Sequence, residues 1–252
     1  PPPSAGSRPT ARHNFLFAPR SSLLAVLNYL AHAYRHLDRP EPERRWFVAG
    51  LACPDWLSVS DRRSRLREKH VRPHLEDTDP ARRAFAAGVL RHLADDAWFH
   101  ETRAFYEVTG AISRMYRALI GPDDHARTGF LGHITAEMLL DTTLIEDDPT
   151  LPDRYYALID ALDPDQIQAH ARAMCPRPIA RLAEFVTMFG RSQFLRDYTD
   201  TDRLTFRISQ VCRRARLEPL PEGAGEMLGE ALAVVREAAS DLLSLPALRA
   251  DP

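Results

Sequence analysis

Apolar residues recur along this chain at steps of three and four, the spacing that keeps one face of a helix buried. Period-two alternation is nearly absent, and no Asn-Gly or Asp-Gly hairpin turn occurs. The spacing predicts a helix over 21–37, ending before RPEP, and another over 43–52, stopped by the Cys53-Pro54 pair. Residues 60–76 are charged and read as short helix or loop. Pro80 suits the first helical position, and the helix it opens is predicted to run to about 107. Further helices are predicted over 109–120, 123–146, 152–162, 164–174, 178–190, 191–215 and 222–243, most of them bounded by Pro, Gly or Asp clusters. The pattern predicts an all-α protein, built as a single-domain orthogonal helical bundle over 21–245. Residues 1–20 are rich in Pro, Ser and Arg and read as a disordered extension. No internal repeat is present.

Composition changes this picture little. The 252 residues are 44% hydrophobic and 27% charged, the balance of an ordinary globular protein. The net charge of −2 gives no global reason to expect nucleic acid. Lys69 is the only lysine, and the remaining cations are arginines. Cys53, Cys175 and Cys212 are few and scattered, which argues against a disulfide framework and suits a reducing cytoplasm. No apolar run reaches the ~18 residues of a membrane span. The segment SSLLAVLNYLAHA has some character of a signal peptide. Asn28 interrupts its apolar run, however, and cleavage at its Ala31–Ala33 site would remove His32.

The chemistry lies in polar residues set on otherwise apolar stripes. In GVLRHLADDAWFHE, residues 88–101, His92, Asp96 and His100 stand four apart and share one helix face. Asp95 lies beside His92 at three residues' distance. In GHITAEMLLD, residues 132–141, the spacing repeats with His133, Glu137 and Asp141. His32 and His36 sit in another apolar helix, and Asp55 follows the apolar run FVAGLACP. Buried, unpaired carboxylates and imidazoliums are expensive. They become tolerable when a divalent cation opposes their charge, and helix bundles build metal sites from such inward-facing side chains. Oxygen and imidazole donors without thiolate suit Mn, Fe, Zn or Mg better than a Cys-rich structural zinc site. Bound ions of this kind neutralise phosphate oxygens and acidify water, as phosphodiester hydrolysis requires. His70 and His74, separated by Pro73, read as surface residues. Two stretches are strongly basic: DRRSRLREKHVR at 61–72 and, more weakly, CRRARLE at 212–218.

The segments NYLAHAY, FVAGLACPDW, GVLRHLADDAWFH and EMLLD, in this order, resemble the acyl-carrier-protein phosphodiesterase family. Asn28 to His32 match its opening segment; Gly50, Leu51 and Asp55 match the next. Gly88, Val89, His92 and Asp96 match the third, and Glu137, Met138, Asp141 and Leu144 the fourth. Residues 194–220 are similar to its Tyr- and Arg-rich C-terminal helices, so the likeness spans about 27–221. Residues 1–26 then look like an extension. The resemblance implies an HD-like all-helical metal phosphohydrolase fold and a Mn-type ion. It also implies hydrolysis of the 4′-phosphopantetheine phosphodiester of holo acyl carrier protein. That acidic partner would find a dock in the basic 61–72 stretch. Thr142 stands where the family has His, and His100 and His133 lie outside its pattern. HLADDAWFHE and GHITAEMLLD also resemble segments of the zinc-dependent phospholipase-C-like group.

Three readings follow. The first is a cytoplasmic metal-dependent phosphodiesterase. Its candidate metal residues are His32, Asp55, His92, Asp96, His133, Glu137 and Asp141, and its candidate catalytic residues are Asp55, His92 and Asp96. Asp95 and His100 are expected to orient ligands, with a histidine as general acid for the leaving alkoxide. The second is a lipid phosphoesterase with an exposed apolar rim. The third is a helical binding or scaffold protein that keeps the stripes as a buried polar network.

Overall fold

Five of the helix starts fall where a short polar side chain, Asp or Thr, takes up one of the first free amides. In the computed structural model, which describes residues 28–41, 43–121 and 124–244, the chain opens with α1 (Tyr29–Ala33), continued by a 3-10 turn. Then come α2 (Glu43–Ser60), α3 (Glu68–Val71) with a second 3-10 turn, and α4 (Pro80–Phe99). Asp79 caps α4 by accepting from Ala81 N at 3.0 Å, with Pro80 at the first position. The chain continues through α5 (Arg103–Ile120), α6 (His125–Asp147), α7 (Leu151–Asp160), α8 (Pro164–Ala173) and α9 (Leu182–Ser192). A 3-10 turn (Phe194–Thr199), α10 (Thr201–Ala215) and α11 (Ala224–Leu242) complete it. The described residues are all helix and connection, with no strand, as the periodicity predicts. Among the described residues no helix is long and apolar enough to cross a membrane. The three cysteines are free thiols.

Several predicted boundaries move, each for a local reason. The expected stop at Cys53-Pro54 is absent, because α2 continues through Pro54 to Ser60. Pro54 deprives the Gly50 carbonyl of its helical partner. Full burial of Trp56 and Leu57 beyond it offsets that loss. The single helix expected over 80–107 is broken at 100–102. There Thr102 turns extended and caps α5, accepting from Phe105 N at 3.2 Å. The helix expected over 191–215 is split by Gln193, at φ 43°, and by Asp200, which caps α10. The part of the 21–37 prediction before residue 28, and the 1–20 extension, lie outside the described residues.

Two close helix contacts set the geometry of the interior. A Cβ on Gly50 would stand 2.1 Å from the Phe85 carbonyl oxygen, and one on Gly88 would stand 2.1 Å from that of Phe47. So α2 and α4 touch backbone to backbone, a distance only glycine permits. A Cβ on Gly132 would meet Ser113 Oγ at 2.2 Å, bringing α5 equally close to α6. The first contact holds Asp55 of α2 against His92 of α4. Both side chains are buried and lie 3.8 Å apart.

Candidate metal centre

The four-residue spacing on α4 and α6 does what helical geometry requires: each polar series forms a stripe, and the two stripes face one another. His100 Nε2, His133 Nε2 and Glu137 Oε1 form a compact triangle. Its edges are 2.9 Å (His133 to Glu137), 3.2 Å (His100 to Glu137) and 3.2 Å (His100 to His133). A tetrahedral ion holding ligands at about 2.0–2.2 Å spaces them roughly 3.3–3.6 Å apart. The triangle therefore lies within a few tenths of an ångström of one face of such a tetrahedron. Glu137 is fully buried, whereas His100 and His133 keep 25% and 16% of their side chains open to solvent, so the triangle has a mouth. Phe99 and Phe105 pack edge-on against His100 and hold its ring in place.

A second group lies deeper. Ligand-type atoms of His32, His92 and Asp96 all come within 4.8 Å of one another. The His32 and His92 rings lie 4.2 Å apart between centroids. Asp55 borders the group through its contact with His92. Both groups could hold a metal ion. Around the deeper one, His32 Nε2, His92 Nδ1 and Asp55 Oδ2 are buried and lack a hydrogen-bond partner among the described residues. Buried polar atoms are normally satisfied. Three that are not, all nitrogen or carboxylate oxygen, fit the donor set of a divalent cation.

Charge in the protein alone reflects the same crowding. Burial, then the nearby carboxyls of Asp96, Glu137 and Asp141, push Asp55 well above the usual carboxylate range. Burial, reinforced by His32, drives the His92 imidazole down to about 3. Burial also opposes charge on His100, but its contacts with Asp96 and Glu137 prevail and hold it up to about 10. Asp96 is held down to about 2, because the imidazoles of His100 and His92 outweigh the effect of its burial.

The other predicted site residues divide by position. Asp95 lies 4.0 Å from His32 Nδ1 and is gripped by Arg91 at 2.7 Å, so it can fix the His32 ring from behind. His100, expected as an orienting residue, instead stands in the triangle. At the same time its Nδ1 lies 3.2 Å from Asp96 of the deeper group. Asp141, expected as a ligand, belongs to neither group. Its two oxygens accept from Leu30 N at 3.0 Å and Ala31 N at 2.8 Å. It thereby caps α1 from across the core and positions His32. His36 and His70 join neither group, and His74 pairs with Asp77 at 3.4 Å. Sequence reasoning missed Arg91, although its four-residue step to Asp95 is an ordinary helical ion-pair signal. It also missed Tyr29, which is buried beside Asp55 with its hydroxyl unpartnered.

No protein-family model, curated protein or solved structure matches the chain.

Proposed function

We propose that the protein is a metal-dependent phosphoric diester hydrolase. The observation that carries this reading is the His100–His133–Glu137 triangle, with donor edges of 2.9–3.2 Å, beside a second His/Asp group with unpartnered donors. Ions held by the two groups would supply opposing charge for a phosphate and make water more acidic. Everything else falls to the chain. Asp95 and Arg91 lock His32. Asp141 fixes α1, and Asp96 on Nδ1 orients the His100 ring and leaves its Nε2 toward the triangle. Phe99 and Phe105 keep water from one flank of His100. His100 and Asp96 are the most open of the six group members, at 25% and 31% side-chain exposure, so a phosphate would meet them first.

The acyl-carrier-protein reading of the substrate draws support from the surface that continues from α2. Arg62, Arg63, Arg67 and Lys69 are all exposed. Of the acids in this stretch, Asp61 is spent on Ala180 N and Arg181 N, and Glu68 on Arg72. A cationic ledge thus starts seven residues past Asp55, at Arg62, where an acidic carrier protein would seat its phosphopantetheine arm. Manganese is the ion of first choice on this reading. The test is incubation of holo acyl carrier protein with the protein and Mn²⁺, read by mass for loss of the prosthetic group. Retention of the group, together with no cleavage of a generic phosphodiester under Mn²⁺, Fe²⁺ or Zn²⁺, would refute the hydrolase reading. Cleavage of the generic ester alone would refute only the carrier protein.

A further inference from the structure

A cavity of about 390 Å³ opens on a different face of α6, toward α9 and α10. This falls within the ~300–1,000 Å³ common for small-molecule sites. Val59, Met138, Phe185, Phe194 and Val211 give it mainly apolar walls. At its rim the apolar surface continues outward: Met188, which also lines it, is 48% exposed, and neighbouring Phe206 is 50% exposed. Inside, Tyr29 is 2% exposed and presents a hydroxyl with no hydrogen-bond partner among the described residues.

The polar part of the lining is cationic. Arg207 is already neutralised, donating to Asp197 Oδ2 at 2.8 and 2.6 Å. Arg213 and Arg214 are exposed cavity-lining residues with no carboxylate partner described, and Arg213 rests over the Phe206 ring. Arg62 donates to the Arg214 carbonyl at 3.2 Å. The two basic stretches that stand far apart in sequence, 61–72 and 212–218, therefore meet at this opening. An apolar chamber, a buried hydroxyl lacking a partner and two free guanidiniums at the mouth select a molecule with an apolar tail and an anionic head.

We propose that this cavity binds a single-chain anionic amphiphile, its alkyl or acyl tail against Val59, Phe185, Phe194 and Val211 and its phosphate or carboxylate head on Arg213 and Arg214. The site does not depend on the metal reading, since its residues are distinct from both His/carboxylate groups.

The test is isothermal titration of the full chain, kept in chelator, with octyl, decyl and dodecyl phosphate below their micelle concentrations. Decanoate, decanol and inorganic phosphate are titrated in parallel. Each methylene that enters the cavity is expected to tighten binding about fourfold until the chamber is full. Decanol is expected to bind about tenfold more weakly than the anions or worse. Preference between decyl phosphate and decanoate assigns the head group. Arg213→Ala with Arg214→Ala should weaken the anions to the level of decanol. Met188→Glu should weaken every tailed ligand. Both sets of changes are at exposed positions, and thermal unfolding confirms that the variants fold. The proposal is overturned if no tailed anion saturates, if inorganic phosphate binds as well as decyl phosphate, or if both variants bind like the parent. Because metal is chelated throughout, none of these results bears on the hydrolase assignment.

Discussion

Addition of a divalent ion to the chelated protein is expected to raise its unfolding temperature in two increments. Among the described residues the interior holds three buried donors without partners: His32 Nε2, His92 Nδ1 and Asp55 Oδ2. Each such atom costs roughly 1–3 kcal/mol of stability when left unpaired. The triangle adds two imidazole Nε2 atoms 3.2 Å apart, which repel unless a proton or a cation lies between them or beside them. An ion that binds only the native state, present at a hundred times its dissociation constant, adds about 2.7 kcal/mol per site. For a chain of this size about 1 kcal/mol moves the midpoint roughly 2–4 °C. One filled site should therefore raise it by about 5–10 °C, and two sites by about twice that. Scanning calorimetry in EDTA and in rising Mn²⁺ or Zn²⁺ measures the shift, and elemental analysis of the desalted protein counts the ions. Glu137→Gln should remove the increment that belongs to the triangle, and His92→Ala the one that belongs to the deeper group. A midpoint equal in chelator and in Mn²⁺, Fe²⁺, Zn²⁺ and Mg²⁺, with no ion retained, would refute the metal reading. The stripes would then stand as a packing network.

The remaining predictions concern charge, packing and the α1 cap. In chelator, His92 titrates near 3 in the native state but near ~6.5 when unfolded, so the unfolded chain binds the extra proton between those values. Stability should therefore be fully present above the unfolded value and fall as pH drops from it toward 3; urea midpoints that stay flat across this window would contradict the burial of a neutral His92. His100 works in the opposite sense: held up to about 10, it contributes stability that is complete below the unfolded value and is lost as pH rises through 10, which the same urea series reads. Gly88→Ala would force its Cβ to 2.1 Å from the Phe47 carbonyl and should cost about 3 kcal/mol or more, while also moving Asp55 from His92 and weakening metal retention. Unchanged stability in chemical denaturation would mean that α2 and α4 are not in backbone contact. Asp141→Ala should cost about 2–4 kcal/mol by stranding the amides of Leu30 and Ala31 and should loosen ion binding through His32; a loss of stability with no change in ion affinity would place His32 outside the site.

The helical register was legible because its signal is repeated. His92, Asp96 and His100 fall on one face whatever the exact helix ends, and so do His133, Glu137 and Asp141. What resisted sequence reading was every feature set by a single local bond or by a distant partner. Thr102 caps α5 through one hydroxyl, and that turn separates α4 from α5 where periodicity alone runs on. Pro54 reads as a stop because its missing amide is local, whereas the burial of Trp56 that carries α2 past it is tertiary. Asp141 has the spacing of a ligand, but its amide partners lie 110 and 111 residues earlier in the chain. Helix geometry decides which side chains share a stripe, not which of them meets backbone and which meets its opposite number.

The same distinction bears on how the two groups are linked. Asp96 belongs to the deeper group and His100 to the triangle, yet they are successive members of one stripe on α4. Their side chains meet at 3.2 Å because four residues advance a helix by little more than one turn. His100 thus presents Nε2 to Glu137 and His133 while its Nδ1 faces Asp96. The carboxylate that orients this imidazole is itself a candidate ligand of the neighbouring group. Any change of charge on Asp96 alters the basicity of His100, and any change of proton on His100 alters the donor strength of Asp96. The stripe on α6 cannot couple in this way, since beyond His133 and Glu137 its last member, Asp141, faces α1. Among the described residues the link at hydrogen-bond distance between the groups therefore runs along α4. Asp96→Asn should then weaken ion retention at the triangle as well as in the deeper group, whereas Asp55→Asn, whose closest charged partner is His92, should weaken the triangle far less. Equal retention at the triangle in both variants, measured by elemental analysis, would show that the two groups are independent.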